Sequence, residues 1–308
     1  MSRVSVIIPS YQCARWLPAT LDSCLEQKEY LKEIIVIDDH STDGSWEVLG
    51  RYQNLYPDLV KPYPNREKGG NPARNYGFEL SSGDAIQWLD ADDQVKPDKF
   101  RAQLSVLDAD AGVDIVYSDW ELLTYDAEGQ VQRREEKKNR RYADFLAELL
   151  MDNWSSPNTY LLRRSMAQRL HVAKAWNPGT KVGQDREYYT VAAILGARFC
   201  YTPGEFAVYN RWTRTSVSAA PADQRYEYQE KILHRCEMLI AEQEAIPQTK
   251  KRKYQNIINT HKLLIRAAGY SAAIHPKDGF RFSGIEWKLV HGVRTTLRVV
   301  KEALKEGF

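Results

Sequence analysis

Residues 85–100, "AIQWLDADDQVKPDKF", end an apolar run with Asp90, Asp92 and Asp93 crowded into four positions. Two carboxylates about 5 Å apart repel by roughly 3 kcal/mol at an effective dielectric near 20. Either solvent or a cation must offset that. Acidic residues where a strand gives way to a helix are ordinary loop and cap chemistry. A divalent cation would equally gather carboxylates in this way, and a cation held by carboxylates and a diphosphate would explain the cluster.

The surrounding chain limits the choice. At 308 residues, 43% apolar and 27% charged, it is long enough for one large domain or two ordinary ones with a substantial core. Nothing suggests disorder or solenoid repeats. Cys13, Cys24, Cys200 and Cys236 form no CxxC pair and the six histidines are scattered, which argues against zinc and a disulfide framework and fits a reducing cytoplasm. The apolar stretch from Val4 to Pro9 is too short for a secretory signal, and no apolar run approaches a membrane span. The net charge of +2 hides an asymmetry: residues 245–308 carry 13 Lys and Arg against 4 Asp and Glu, a net of +9 on an otherwise acidic body. Charge alone would allow nucleic acid, but no aromatic-basic interleaving supports it and none is expected as a partner.

The elements that must position the aspartates alternate. "VSVIIP" (4–9) and "EIIVID" (33–38) are β-branched runs, and between them Leu17, Leu21 and Leu25 share one helical face. A cap and helix follow over 41–52, and a third helix over 71–83 that Gly83 is expected to close. "DAIQWLD" (84–90) reads as a buried strand, Pro97 and Asp98 open a helix, and 113–125 returns to strand. This rhythm predicts an α/β fold with a mostly parallel central sheet. The charged run 128–142 reads as the solvated end of a hairpin, and strand-like segments at 159–164 and 197–212 flank a helix near 184–196. From about 223 the pattern is helical. Ile285, Leu289, Val293, Leu297, Val300 and Leu304 form the apolar stripe of a basic amphipathic helix, suited to packing, oligomer contact or an anionic membrane surface.

In open α/β sheets, ligands sit beyond the carboxyl ends of the strands. Polar tips follow three strands: "PSYQ", "DDHSTDGS" and "DADD". If those strands are parallel neighbours, Asp38, Asp39, Asp90, Asp92 and Asp93 share one crevice with Tyr11, and Arg74 and Asn75 adjoin it. Asp39 could then accept from a base or ribose, Tyr11 could cover a ring face, and Arg74 offers planar donors to phosphate or a base edge. No GxGxxG follows the first strand and no GxxxxGK[ST] occurs anywhere, so a dinucleotide or P-loop site is poorly supported.

Four ordered stretches, "VSVIIPSYQCARWLPATLDSCLEQ", "EIIVIDDHSTDGS", "GGNPARNYGFELSSGDAIQWLDADDQVKPDKF" and "GQDREYYTVAAILGARFCY", resemble the family 2 glycosyltransferases across roughly residues 3–220. The resemblance implies a GT-A fold, Rossmann-like, over 1–222, with a helical, basic extension over 223–308. It implies inverting transfer of a sugar from a nucleotide-diphosphate donor, UDP-linked by family tendency, to a hydroxyl of a glycan, lipid-linked or other glycoconjugate acceptor in polysaccharide biosynthesis. Pro9, Tyr11, Asp39, Arg74 and Asp90 would contact the nucleotide. Asp90 and Asp92 form the DxD motif, with Asp92 the direct ligand of Mg²⁺ or Mn²⁺, and Asp185 stands where the family keeps its general base. Asp93, Gln184, Thr213 and Arg214 are candidate diphosphate or acceptor contacts.

Three departures stand out. Gln184 replaces the Glu that usually precedes the base, Thr213 replaces a His, and His40 replaces a Gly. Arg214 could take over phosphate pairing from that His. The departures at Gln184 and Thr213 sustain a rival, a non-catalytic glycosyltransferase-like subunit that binds nucleotide or glycan and recruits a partner. Intact Asp90, Asp92 and Asp185 weigh against it. The expected location is cytoplasmic, peripheral at the inner membrane face if the basic helix meets lipid.

Overall fold

The computed structural model describes residues 2–212 and 222–274. The strands are β1 (Val4–Ser10), β2 (Leu31–Asp38), β3 (Val60–Pro64), β4 (Ala85–Trp88), β5 (Gln94–Val95), β6 (Ile115–Tyr125), β7 (Val131–Lys137), β8 (Leu161–Arg163) and β9 (Phe199–Trp212). The helices are α1 (Leu17–Leu25), α2 (Ser45–Leu55), α3 (Gly70–Leu80), α4 (Lys99–Ala109), α5 (Phe145–Leu150), α6 (Arg164–Val172), α7 (Gln184–Ile194), α8 (Ala222–Glu242) and α9 (Gln248–Ile274).

One sheet runs β3-β2-β1-β4-β8-β6-β9-β5, with β7 pairing β6 beside it. The first four strands are mutually parallel. Beyond them the sheet is mixed: β8 is antiparallel to both β4 and β6, while β6 and β9 run parallel. The parallel half therefore holds the three polar tips side by side.

Alternation in β1 explains the two layers. Val4, Val6 and Ile8 face a core with Leu17, Leu21, Leu49, Phe100 and Leu104, whereas Ile7 faces Phe78, Trp88, Met166 and Tyr188. Helices α1, α2 and α4 thus cover one face, and α3, α6 and α7 the other. A third cluster joins Leu146 and Leu150 of α5 and Ile194 of α7 to Ile232, Leu233, Cys236, Tyr254 and Ile258 of α8 and α9. The C-terminal helices so share a core with the helix that begins at Gln184.

Several local expectations are corrected. Helix α3 stops at Leu80 with Ser81 extended behind it, so Gly83 does not close it. A Cβ on Gly83 would lie 2.6 Å from the Ser5 backbone nitrogen, so the residue is glycine because this loop presses against β1. Strand β3, "VKPYP", escaped the pattern because its prolines remove donors; it survives at the sheet edge, where one side needs none. The hairpin expected over 128–142 is β6-β7, its outer strand exposed and charged. Among the described residues, no helix is long and apolar enough to cross a membrane. The basic stripe from Ile285 to Leu304 lies outside the described residues.

Candidate functional site

The tips of β1, β2 and β4 meet as the parallel register requires. The Asp39 amide donates to the Ser10 carbonyl at 2.8 Å, tying the second tip to the first. Asp38 is fully buried and turns inward, accepting from the Ser41 amide at 2.8 Å and its hydroxyl at 2.6 Å. It shapes the loop and does not line the crevice. Between Asp39 and Ser41, His40 adopts φ 62°, a left-handed value that His tolerates better than most residues.

The Asp39 carboxylate is held from two sides, by Asn65 Nδ2 at 2.8 Å and by the Gly69 amide at 2.9 Å. Pro9 is partly buried in β1, and Tyr11 just beyond it is 54% exposed.

Arg74 organises the other side. It is 7% exposed on the first turns of α3, stacked over Trp176 at 4.5 Å. One guanidinium nitrogen donates to Asp90 Oδ1 at 2.6 Å, and another to Gln184 Oε1 at 3.1 Å and Asn71 Oδ1 at 3.3 Å. The tip of β4 and the N-terminus of α7, far apart in the chain, are thereby bridged by one side chain. Gln184 donates in turn to the Thr180 carbonyl at 3.0 Å, and Asn71 to the Asn177 carbonyl at 2.7 Å. Asn75 does not reach the crevice; it donates to the Trp176 carbonyl at 2.9 Å and so anchors the platform under Arg74.

The three aspartates of the β4 tip diverge. Asp90 carries the Arg74 ion pair and stays about one-third exposed. Asp92 is partly buried, and burial followed by the nearby Asp90 charge pushes its carboxyl up to about 7. Asp93 is fully buried, accepting from the Asn210 amide at 2.8 Å and facing Asn158. Its carboxylate ties the tip to β9. Asn210 completes that tie through the Asp92 carbonyl at 2.6 Å.

Asp185 is the second residue of α7, which follows Gly183, whose φ of 73° suits a residue without Cβ. Burial raises its carboxyl to about 6; the Arg186 amide opposes this, Asp90 adds to it and Arg74 offsets part. The charges of Asp90, Asp93 and Asp185 all act on the Tyr209 hydroxyl, which burial first pushes up to about 12. Tyr209 packs edge-on against Trp154 at 5.7 Å.

Asp90 and Asp92 on one short turn suit a cation that keeps most of its coordination sphere for phosphate oxygens and water. Burial already resists the charge on Asp92, so a cation beside it would be favourable, and the donor set fits Mg²⁺ or Mn²⁺. Among the described residues, no group of three or more His, Cys, Asp or Glu side chains is arranged to hold a metal. Thr213 and Arg214 lie outside the described residues.

Sequence reasoning missed Asn65, Asn71, Asn158 and Asn210. Each is buried and fixes an acidic residue or a loop beside one, and the only signal was an asparagine next to a turn or strand end.

The Glycosyl transferase family 2 model matches residues 5–170, more than half of the chain. The chain belongs to this family. An uncharacterized glycosyltransferase of Nostoc sp., alr2836, is 36% identical over 115 residues, 37% of this chain and 36% of that protein. The UDP-Glc:alpha-D-GlcNAc-diphosphoundecaprenol beta-1,3-glucosyltransferase WfaP of Escherichia coli is 33% identical over 110 residues, 36% of this chain and 43% of WfaP. The chain thus matches less than half the length of either relative.

Among solved structures, Staphylococcus aureus TarS 1–349 in complex with UDP-GlcNAc superposes with a TM-score of 0.64 at 16% identity, covering 98% of this chain and 81% of TarS 1–349. The mannosyltransferase PcManGT of Pyrobaculum calidifontis, in complex with GDP-Man and Mn²⁺, gives a TM-score of 0.58 at 20% identity, covering all of this chain and 88% of its own. At such identities the likeness establishes the fold, which is the GT-A fold.

Proposed function

We propose that this chain is an inverting glycosyltransferase that moves a sugar from a nucleotide-diphosphate donor to a hydroxyl of a glycan, lipid-linked or other glycoconjugate acceptor. One observation carries the reading. Arg74 holds Asp90 and Gln184 together, so the acidic tip of β4 and the helix start bearing Asp185 face one crevice. Nucleotide and acceptor chemistry need that proximity.

Tyr11 would cover the base, Pro9 would line its strand exit, and Asp39, held in place by Asn65 and Gly69, would accept from a base or ribose donor. Asp90 and Asp92 would hold Mg²⁺ or Mn²⁺, which when bound neutralises charge developing on the departing diphosphate. Arg74 adds a fixed positive charge on the same side. On the opposite side, Asp185 accepts the proton of the acceptor hydroxyl as that oxygen bonds to the anomeric carbon. The bond from that carbon to the phosphate oxygen breaks with its electron pair, and the single displacement inverts the configuration. Partial burial suits Asp185 to proton abstraction, because a carboxyl pushed up to about 6 is a stronger base than an exposed one and is still ionised at pH 7.

WfaP's lipid-linked acceptor and the UDP-GlcNAc on TarS favour a uridine donor and a glycoconjugate acceptor here. PcManGT's Mn²⁺ supports the cation. The test is thermal stabilisation by a panel of sugar nucleotides, with Mn²⁺ or chelator, on the wild-type chain and Asp92→Asn. A donor at 100 times its dissociation constant should add about 2.7 kcal/mol. A shift that needs metal and vanishes in Asp92→Asn is expected. A shift indifferent to both would sink the metal-assisted reading.

A further inference from the structure

The two residues after Asp185 are charged and buried: Arg186 is 5% exposed and Glu187 only 1%. Neither faces the crevice chemistry. Both are paired with groups outside α7, and those partners come largely from the C-terminal helices.

Glu187 Oε1 accepts from Arg235 of α8 at 2.6 Å, while its other oxygen has no hydrogen-bond partner among the described residues. The buried carboxylate therefore depends on Arg235. The same guanidinium donates to the Ala173 carbonyl at 3.0 Å and the Lys174 carbonyl at 2.9 Å, so one fork joins α8, α7 and the turn after α6. Arg186 pairs with Asp152 at 2.8 Å, in the turn after α5, and lies 3.3 Å from His261 Nδ1 of α9. On the other flank of Asp185, a Cβ on Gly183 would lie 3.2 Å from Ile232 Cδ1 of α8. Arg235 of α8 and His261 of α9 thus both reach the first turn of α7, within two residues of Asp185.

We propose that α8 and α9 are a positioning clamp for the candidate base, with Arg235 its principal positioning residue. The inference rests on the proposed role of Asp185 and assigns the helical extension a part in that reaction. The physical argument is that a carboxylate at a helix start points where the first turn points. A helix end whose first turn is ion-paired to two neighbouring segments, one of them through the forked contacts of Arg235, has little freedom to tilt. A misplacement of about 1 Å at a reacting group can cost on the order of 100-fold in rate. Donor contacts on β1, β2 and β4 do not touch the clamp, whereas Arg74 of α3 reaches the clamped turn through Gln184, so donor affinity should follow the clamp less steeply than kcat.

The experiment uses the full chain with Arg235→Leu, Arg235→Lys and the double variant Glu187→Gln/Arg235→Leu. Arg235→Leu leaves a buried unpaired carboxylate and is expected to lower the melting temperature. The double variant removes that charge and restores folding without restoring the fork. Expected are a kcat lowered on the order of 10- to 100-fold in both leucine variants, with donor KM changed by less than kcat. Arg235→Lys should recover part of kcat, because it keeps a charge for Glu187 but loses the planar fork.

Hydrogen exchange at the amides of 183–188 should quicken in both leucine variants, with exchange in β1 and β4 unchanged. A double variant that folds with wild-type kcat overturns the proposal, as does unchanged exchange at 183–188. If the wild-type chain transfers no sugar, the proposed reaction fails. The exchange comparison then still decides whether the clamp holds the helix start.

Discussion

Replacing Asp185 by Asn should sharply reduce transfer and, without metal, make the protein more stable. Burial, resisted by the Arg186 amide and aided by Asp90, raises this carboxyl from 3.8 to about 6. The folded chain therefore holds the proton more tightly than the unfolded chain. Between about pH 4 and 6 the native state binds more protons, so stability falls as pH rises through that window. Above it the penalty is complete. About two units correspond to roughly 3 kcal/mol. Asp185 keeps partial solvent contact, which screens the effect, so about 1–2 kcal/mol is expected.

Asparagine has the same shape and no such penalty. Urea denaturation with chelator from pH 4 to 8 should show the Asn variant's advantage near zero at pH 4 and level by about pH 7. An Asn variant equally or less stable at pH 8, or a gap independent of pH, would refute the reasoning. The activity arm follows from the same geometry. A variant at least as stable as wild type cannot owe its loss of transfer to misfolding, and the loss of a general base should cost about 10²- to 10⁴-fold. In the wild type, the acid limb of kcat/KM should lie at or below about pH 6, since a bound cation would only lower the carboxyl's pKa.

Arg74→Lys should fail despite keeping the charge. A lysine reaches one acceptor where Arg74 spans Asp90 and Gln184 and stacks on Trp176, so calorimetry should show donor affinity reduced about tenfold or more and stability lower by about 1–3 kcal/mol. Gly83→Ala and Gly50→Ala form an opposed pair. The first places a Cβ 2.6 Å from backbone and should cost about 1–3 kcal/mol. The second meets nothing within 4 Å in the middle of α2 and should add about 0.5–1 kcal/mol; denaturant midpoints moving the same way in both would contradict this packing.

Some of this protein was legible from the chain alone. β-branched runs spaced by helical leucines specify an alternating α/β body, because periodicity records which face of each element is buried. Parallel neighbours β2, β1 and β4 then had to bring "DDH", "SYQ" and "DADD" together, since all three tips leave the same edge. Asp39, Asp90, Asp92 and Arg74 could thus be nominated from residue type and order, and Asp185 only through the family resemblance.

Tertiary structure decided what each of them does. Asp92 and Asp93 are adjacent and chemically identical, yet one borders the crevice and the other is buried against Asn210. That difference depends on β9, far along the chain, and no local pattern encodes it. The bridge from Arg74 to Gln184, the asparagines that fix the loops and the Arg235–Glu187 pair are equally long-range. A periodic pattern states that a face is buried. Which partner buries it, and whether a charge there is paired, is settled only when distant segments pack.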